Sequence, residues 1–223
     1  MHQRKSKKII LYFFLLISVG TLNNFEINNF QFYKIQKIKV TGLEHSENQS
    51  LTKDLINLNL QNIFNVNKTK IINIFEKNSL IEKYQAKKKY PFTINIEVLK
   101  TNFLAKMYIN EKVYLIGSNG KLINNNSNKK KLPFIFGSPN INEFLEFKKI
   151  IDQSLIPFES INELFFFPSK RWDIELKNNI RIKLPKDDIE TTLNNVFEII
   201  NDNNFYNIKI IDARVKNQII LND

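Results

Sequence analysis

The chain has 223 residues, of which 43% are hydrophobic and 25% are charged, so it can form one large or two small globular domains and is not a disordered chain. Lys and Arg outnumber Asp and Glu by 33 to 22, but only four of these cations are Arg, which makes a dedicated nucleic-acid binder a weak interpretation. The absence of Cys and the presence of only two His exclude disulfides, a Cys nucleophile and a His-rich metal site.

The amino terminus has a membrane-targeting pattern. Four cations lie within residues 1–8 and are followed by an apolar run from Ile9 to Leu22. We interpret residues 1–8 as a cytoplasmic tail and residues 9–25 as a transmembrane anchor, with the rest of the chain exported. The anchor centres on nine consecutive apolar or aromatic residues: Ile9, Ile10, Leu11, Tyr12, Phe13, Phe14, Leu15, Leu16 and Ile17.

The length of this run leaves an alternative open. Its fourteen residues would reach about 21 Å as a helix, which is less than the ~30 Å hydrocarbon core of a bilayer. The segment Ser18-Val19-Gly20 also fits a small-x-small cleavage rule. A cleaved signal peptide is therefore the competing interpretation, and it gives the same exported product.

The first part of the exported chain predicts the element order β-α-α-β-β. The predicted elements are strand Tyr33–Thr41, a helix capped by Ser46 or Ser50 with Leu51, Leu55 and Leu58 on one face, a helix capped by Asn67 with Ile71, Ile74 and Phe75 on one face, and strands Ile81–Lys87 and Phe92–Val98. A turn at Tyr90-Pro91 separates the last two strands.

Short strands dominate after Lys100. The sequence predicts a meander of strands 103–109, 112–116 and 121–123 with a turn at Ser118-Asn119-Gly120, a polar loop over residues 124–131, and a buried strand over 132–136. A helix is predicted from Ile141 to Gln153, with Phe144, Phe147 and Ile151 directed inward.

Residues 171–184 predict a hairpin whose register can be read from the sequence. Apolar and charged residues alternate on both sides of the loop 177–179, and a three-residue loop pairs Ile174 with Ile182, Glu175 with Arg181, and Asp173 with Lys183. We expect Trp172 on the core side of this hairpin.

The end of the chain predicts one helix and two closing strands. The helix begins at Pro185, with Asp187 and Asp188 in its first turn, where the helix dipole favours carboxylates. The closing strands cover residues 207–215 and 217–221.

The sequence contains no pattern that supports catalysis. His45 has no second His near it, Asp187 and Asp188 are adjacent and suit a helix start, and no phosphate-binding Gly loop or nucleophile motif is present. We therefore expect a non-enzymatic protein that acts by binding and that has no cofactor, metal, nucleic acid or small-molecule substrate. The closing strands, residues 207–221, are the candidate binding surface, because an exposed sheet edge can accept a strand from a partner.

These features resemble the FtsQ/DivIB family of bacterial cell division proteins. The residues that carry the resemblance are Ile38-Lys39-Val40-Thr41-Gly42 and Tyr90-Pro91-Phe92-Thr93-Ile94 in the first module, and residues 115–120, Arg171-Trp172-Asp173, Leu184-Pro185 and Ile211-Asp212-Ala213-Arg214 in the second. The resemblance implies an α+β fold with an N-terminal transmembrane helix, a β-α-α-β-β POTRA domain at 33–100, and a mixed or antiparallel β domain with flanking helices at 101–223.

The resemblance also implies a function. It indicates a non-catalytic scaffold of the inner membrane, with a cytoplasmic N-terminus and a periplasmic domain that recruits division proteins to the septum. The implied partners are FtsB- and FtsL-like proteins and other divisome components. The implied partner-binding edge strand comprises six residues, among which Val215 lies where the family often has an aromatic: Ile211, Asp212, Ala213, Arg214, Val215 and Lys216.

Two other classes of protein remain as alternatives. One is a POTRA-containing protein that handles polypeptides in secretion or outer-membrane assembly, although residues 101–223 are too few and too polar for the membrane barrel that usually follows such modules. The other is a secreted protein, including a secreted enzyme, that is cleaved after Gly20.

Overall fold

The computed structural model describes residues 3–22, 34–60, 63–64, 66–124, 131–202, 204, 207–215 and 218–222. These form two compact units, one comprising Met1–Ile74 and Gln85–Glu97 and the other Phe75–Tyr84 and Val98–Asp223. The α-helices are α1 (Gln3–Leu22), α2 (His45–Asn57), α3 (Lys68–Lys77), α4 (Ile141–Gln153) and α5 (Ile189–Asn201). A short 3₁₀ helix covers Phe158–Ser160.

Twelve strands complete the secondary structure of the described residues. They are β1 (Lys37–Thr41), β2 (Ile81–Lys89), β3 (Thr93–Lys100), β4 (Phe103–Ile109), β5 (Lys112–Gly117), β6 (Leu122–Ile123), β7 (Phe134–Phe136), β8 (Ile161–Phe166), β9 (Trp172–Leu176), β10 (Arg181–Lys183), β11 (Ile210–Asp212) and β12 (Ile220–Asn222). A three-stranded sheet has the order β1-β3-β2, and a nine-stranded sheet has the order β12-β11-β10-β9-β8-β7-β4-β5-β6.

Helix α1 contains the predicted anchor residues 9–17, whose side chains are all exposed. Among the described residues, no helix is both long enough and apolar enough to cross a bilayer. The transmembrane assignment of residues 9–25 therefore remains a prediction.

Residues 37–100, most of which belong to the first unit, have the predicted order of strands and helices, β1-α2-α3-β2-β3. Strand β1 pairs in parallel with β3, so that Ile38 lies opposite Ile94 and Val40 opposite Ile96. Helix α2 packs against β1. The buried apolar side chains of this unit are Val40, Leu51, Leu55, Ile63, Ile71, Ile94 and Ile96.

The start of α2 corrects a sequence-based prediction, whereas the start of α3 follows one. The N-cap of α2 is Glu44, whose backbone N–H donates to Glu47 Oε2 at 3.1 Å, and the predicted caps Ser46 and Ser50 lie inside the helix. The carboxylate of Glu47 thus satisfies the backbone N–H group of the N-cap residue, and no hydroxyl cap is needed. At α3, Asn67 Oδ1 accepts from the backbone N–H of Lys70 at 3.3 Å, as predicted.

The large sheet combines an antiparallel meander with parallel pairs. Strands β4, β5 and β6 form the predicted meander. Strand β7 pairs in parallel with both β4 and β8. Helices α4 and α5 supply Phe144, Phe147, Ile151, Leu193 and Val196 to the core of this unit.

Two observations in the middle of this sheet test the sequence-based prediction. The β9–β10 hairpin has the predicted register, with Ile182 opposite Ile174, and Trp172 is buried against Phe147 at a ring-centroid distance of 4.5 Å. Strand β8 was not predicted. Its residues Phe165 and Phe166 are adjacent aromatics that point to opposite faces, so the segment lacks a simple alternation of apolar and polar residues.

Helix α5 begins later than predicted. Its first residue is Ile189, and its N-cap, Asp188, has a left-handed backbone with φ of 56°. Pro185 and Asp187 therefore lie in the loop before the helix and not in its first turn.

Candidate partner-binding edge

The candidate site lies at the β12 end of the nine-stranded sheet, where β10, β11 and β12 are neighbours. Strand β11 pairs in parallel with β10, with Ile211 opposite Ile182. Strand β12 pairs antiparallel with β11, with Leu221 opposite Ile211. Within the described part of the chain, no strand pairs with the outer side of β12.

This topology corrects the position predicted for the edge. Ile211 and Asp212 were predicted to form an edge strand, but they lie on β11, which is enclosed between two other strands. The edge strand is β12, Ile220–Asn222, which overlaps the predicted closing ribbon 207–221 at Ile220 and Leu221 but lies outside the six predicted site residues. The reason is that α5 connects β10 to β11 in a parallel pair, and the hairpin that follows adds β12 on the outside.

The six predicted site residues occupy different environments. Ile211 and Ala213 are buried, and the Ala213 backbone N–H donates to the Lys183 carbonyl at 2.9 Å. Asp212 is half-buried, whereas Arg214 and Val215 are exposed. Lys216 lies outside the described residues. Of the five residues of this set that the structure describes, only Arg214 and Val215 are well exposed next to β12.

Arg214 is held by Asp212, two residues before it. Arg214 Nε donates to Asp212 Oδ1 at 2.8 Å, a second guanidinium N–H donates to Oδ2, and the Arg214 backbone N–H donates to Oδ1 at 3.2 Å. These side-chain hydrogen bonds from Arg214 lower the pKa of Asp212 below its ordinary value, and they raise the pKa of Arg214. The ion pair therefore holds the guanidinium of Arg214 in place beside the sheet edge.

A cleft of about 740 Å³ lies beside this pair. The loop before α5, the first turns of α5 and the β11–β12 turn form its walls, with Pro185, Asp188, Thr191, Arg214, Val215 and Gln218 among the lining residues. The Gln218 backbone N–H donates to the Val215 carbonyl at 3.2 Å and closes the turn between the strands. The cleft therefore adjoins the free edge and combines hydroxyl, carboxylate and guanidinium groups with an exposed valine.

The six predicted site residues do not include Ile220, Leu221 or Asn222, although the wider candidate surface, residues 207–221, includes the first two. Ile220 is 44% exposed and Val215 is 55% exposed, so the edge has apolar side chains as well as free backbone. The sequence does contain a signal that places β12 at the edge of the sheet. A strand, a helix and a second strand in succession predict a parallel pair, and a further strand joined by a short turn is added on the outside.

The described residues show no arrangement that suggests catalysis. No group of three His, Cys, Asp or Glu side chains could hold a metal ion within the ranges that the structure describes. Glu143 has a lowered pKa, chiefly because its carboxylate accepts a hydrogen bond from the Asn140 backbone in a helix cap. Helix capping thus accounts for the lowered pKa of Glu143.

Two family models match the chain, and together they cover most of it. The model described as POTRA domain, FtsQ-type, matches residues 33–100, and the model described as cell division protein FtsQ/DivIB, C-terminal, matches residues 107–214. The chain belongs to the FtsQ/DivIB family of cell division proteins.

Several family members from Rickettsia are similar to the chain over most of its length. Cell division protein FtsQ of Rickettsia prowazekii is 23% identical over 201 residues, covering 83% of this chain and 71% of that protein. The FtsQ protein of Rickettsia felis is 24% identical over 225 residues, covering 93% of this chain and 79% of that protein. These relatives support a role in cell division.

One solved structure also shows a likeness. The major extracytoplasmic domain of the cell division protein DivIB from Geobacillus stearothermophilus aligns at 13% identity with a TM-score of 0.33, covering 42% of this chain and 86% of that chain. The likeness is too weak to extend to individual residues of the edge.

Proposed function

We propose that this family member is a non-catalytic scaffold that is anchored in the inner membrane by residues 9–25 and recruits divisome proteins at the septum through its periplasmic part. FtsB- and FtsL-like proteins are the proposed partners. The observation that carries the proposal is the position of β12 at the end of the nine-stranded sheet, with no described strand on its outer side.

The proposed mode of binding is strand addition to β12. Strand addition obtains affinity from main-chain hydrogen bonds and specificity from the side chains that flank the new strand. Ile220 and Val215 offer exposed apolar contacts beside the free backbone of β12. The chain thus supplies both parts of such an interface at one edge.

Arg214 supplies a charged contact next to this edge. A guanidinium has five N–H donors, and the Asp212 carboxylate occupies two of them. The remaining donors are available to a partner carboxylate or carbonyl. Because Asp212 fixes the orientation of the guanidinium, we expect Arg214 to add specificity for an acidic residue on the partner.

The β12 edge is preferred over the other end of the large sheet. That end is β6, which has only two residues and is followed by the polar loop 124–131. In contrast, β12 lies beside the cleft and two exposed apolar side chains. The POTRA-based alternative in secretion receives no comparable support, since both family models are of the FtsQ type.

A binding measurement with matched variants tests the proposal. The full-length chain is immobilised and offered the FtsB-like protein, as wild type, Arg214→Glu, Val215→Glu and Leu155→Glu. Leu155 is the control because it is 53% exposed, close to the 55% of Val215, and lies in the same unit after α4. We expect both substitutions at the edge to weaken binding by about tenfold or more, as at a hot spot, and Leu155→Glu to leave it unchanged.

The outcome that would overturn the proposal is equally specific. If Arg214→Glu and Val215→Glu retain the partner as well as the wild type does, while thermal unfolding shows that all variants are folded, the partner does not bind at this edge.

A further inference from the structure

Three exposed aromatic side chains lie at one end of the first unit. Tyr90 and Phe92 flank Pro91 in the turn between β2 and β3, and Phe64 stacks on Tyr90 with a centroid distance of 5.3 Å. Their exposed fractions are 64% for Phe64, 57% for Tyr90 and 39% for Phe92. We call these three residues the aromatic tip. An exposed aromatic cluster of this kind marks an interaction site more often than an isolated exposed side chain does.

Lysines surround the aromatic tip. Lys88 Nζ donates to the Phe64 carbonyl at 3.2 Å, Lys89 directly precedes Tyr90, and Lys37 lies opposite Thr93, the residue after Phe92. The module that carries the aromatic tip also holds most of the charge excess of the chain after the N-terminal helix. Residues 33–100 contain twelve Lys, no Arg and six Asp or Glu, whereas residues 101–223 contain 17 cations and 15 acidic residues.

The chain also joins the three-stranded sheet at the aromatic tip. The backbone N–H groups of Gln36 and Lys37 both donate to the Phe92 carbonyl, at 3.0 and 3.3 Å. Residues 23–36 connect this point to the end of α1, and fourteen residues span at most about 50 Å. The aromatic tip is therefore at the end of the three-stranded sheet that the chain reaches first after the apolar N-terminal helix.

We propose that the aromatic tip is a membrane-contact site that binds the surface of an anionic phospholipid bilayer. Aromatic rings favour the level of the lipid headgroups, because they combine an apolar body with a polarisable face and, in Tyr90, a hydroxyl. The surrounding lysines are attracted to anionic headgroups over a range of about one Debye length. The inference rests on the membrane anchor in the proposed function and adds a second contact that orients the POTRA domain.

Single labels on the full-length chain test this contact. Because the chain contains no Cys, one cysteine can be introduced at a time and labelled with a fluorophore whose emission shifts to the blue in an apolar environment. Gln36→Cys reports on the aromatic tip without removing any of its aromatics, Leu15→Cys reports on the anchor, and Tyr108→Cys is an exposed control in the second unit. Each labelled chain is reconstituted into vesicles of phosphatidylglycerol with phosphatidylethanolamine and into vesicles of phosphatidylcholine.

The expected result is a pattern across the three positions. Leu15→Cys shifts to the blue in both kinds of vesicle, Gln36→Cys shifts only in the anionic vesicles and loses the shift at about 1 M salt, where the Debye length is ~3 Å, and Tyr108→Cys shifts in neither. Adding Lys37→Glu with Lys89→Glu abolishes the shift at position 36, whereas Lys177→Glu with Lys209→Glu, an equal charge change at exposed positions of the second unit, preserves it.

Two results would contradict the proposal, and they are distinguishable. If Leu15→Cys shifts but Gln36→Cys has the same emission in anionic vesicles, in neutral vesicles and in high salt, the aromatic tip does not contact lipid although the anchor is correct. If the label at Leu15→Cys shows no blue shift in either kind of vesicle, the anchor of the proposed function is wrong and the proposed membrane contact fails with it.

Discussion

Arg214 owes its position to one neighbouring carboxylate. Asp212 accepts three hydrogen bonds from Arg214, two from the guanidinium and one from the backbone. Asp212 on β11 also lies opposite Lys183 on β10. The positive charge of Lys183 lowers the pKa of Asp212 further, by a smaller amount. The two residues are therefore a unit, and a change at Asp212 acts on the edge through Arg214.

The pH dependence of stability follows from the lowered pKa of Asp212. A carboxylate whose pKa is lower in the folded than in the unfolded chain stabilises the fold above its unfolded pKa, about 3.9, and this contribution is lost as the pH falls through the folded value. Asp212→Asn should therefore lower the free energy of unfolding at pH 7, and the difference from the wild type should shrink as the pH falls below 4.

Urea unfolding at a series of pH values measures this difference. Asp187→Asn, an exposed position in the loop before α5, is the matched control for removing one negative charge near the cleft. If the difference in free energy of unfolding between the wild type and Asp212→Asn stays the same from pH 7 to pH 2, the ionised carboxylate of Asp212 contributes nothing to folding.

Strands β11 and β12 differ in their place in the sheet, and this difference has an energetic consequence. Ile211 on β11 is fully buried in the core of the second unit, whereas Ile220 on β12 is 44% exposed. Ile211→Ala should lower the free energy of unfolding by about 2–5 kcal/mol, because it removes buried methyl groups and leaves a cavity. Ile220→Ala should lower it by only about 0.5 kcal/mol, as at an ordinary surface position.

Chemical denaturation of the two variants provides the comparison. Both substitutions remove the same atoms from neighbouring strands, so each is the control for the other. Equal losses of stability in the two variants would contradict the assignment of β11 as an inner strand and β12 as the edge.

The hairpin 171–184 shows what the sequence can predict. Its alternation of apolar and charged residues and its loop length together allow one register, and the structure has that register. The edge was harder to place, because the pairing of β11 with β10 depends on a crossover through α5 that no local pattern near residue 211 reveals. The start of α5 was misplaced for a local reason, since the left-handed backbone of Asp188 is not apparent from two adjacent carboxylates.

The whole chain divides its surface features between two compact units. The first carries the aromatic tip and most of the lysine excess, and the second carries the free edge at β12 beside Arg214. The proposed lipid contact and the proposed protein contact thus lie in different units of the chain. The boundary predicted at residue 100 remains a proposal, and residues 75–84 belong to the second compact unit.

Hydrogen–deuterium exchange of the full-length chain, with and without the FtsB-like protein, tests strand addition most directly. Backbone amides at a sheet edge exchange with solvent, and a strand added by a partner slows the exchange of those that it pairs with. We expect slower exchange in residues 218–222 when the partner is bound and unchanged exchange at the opposite end of the sheet, in residues 121–123. A saturated complex in which residues 218–222 exchange as fast as in the free protein would contradict partner binding at β12.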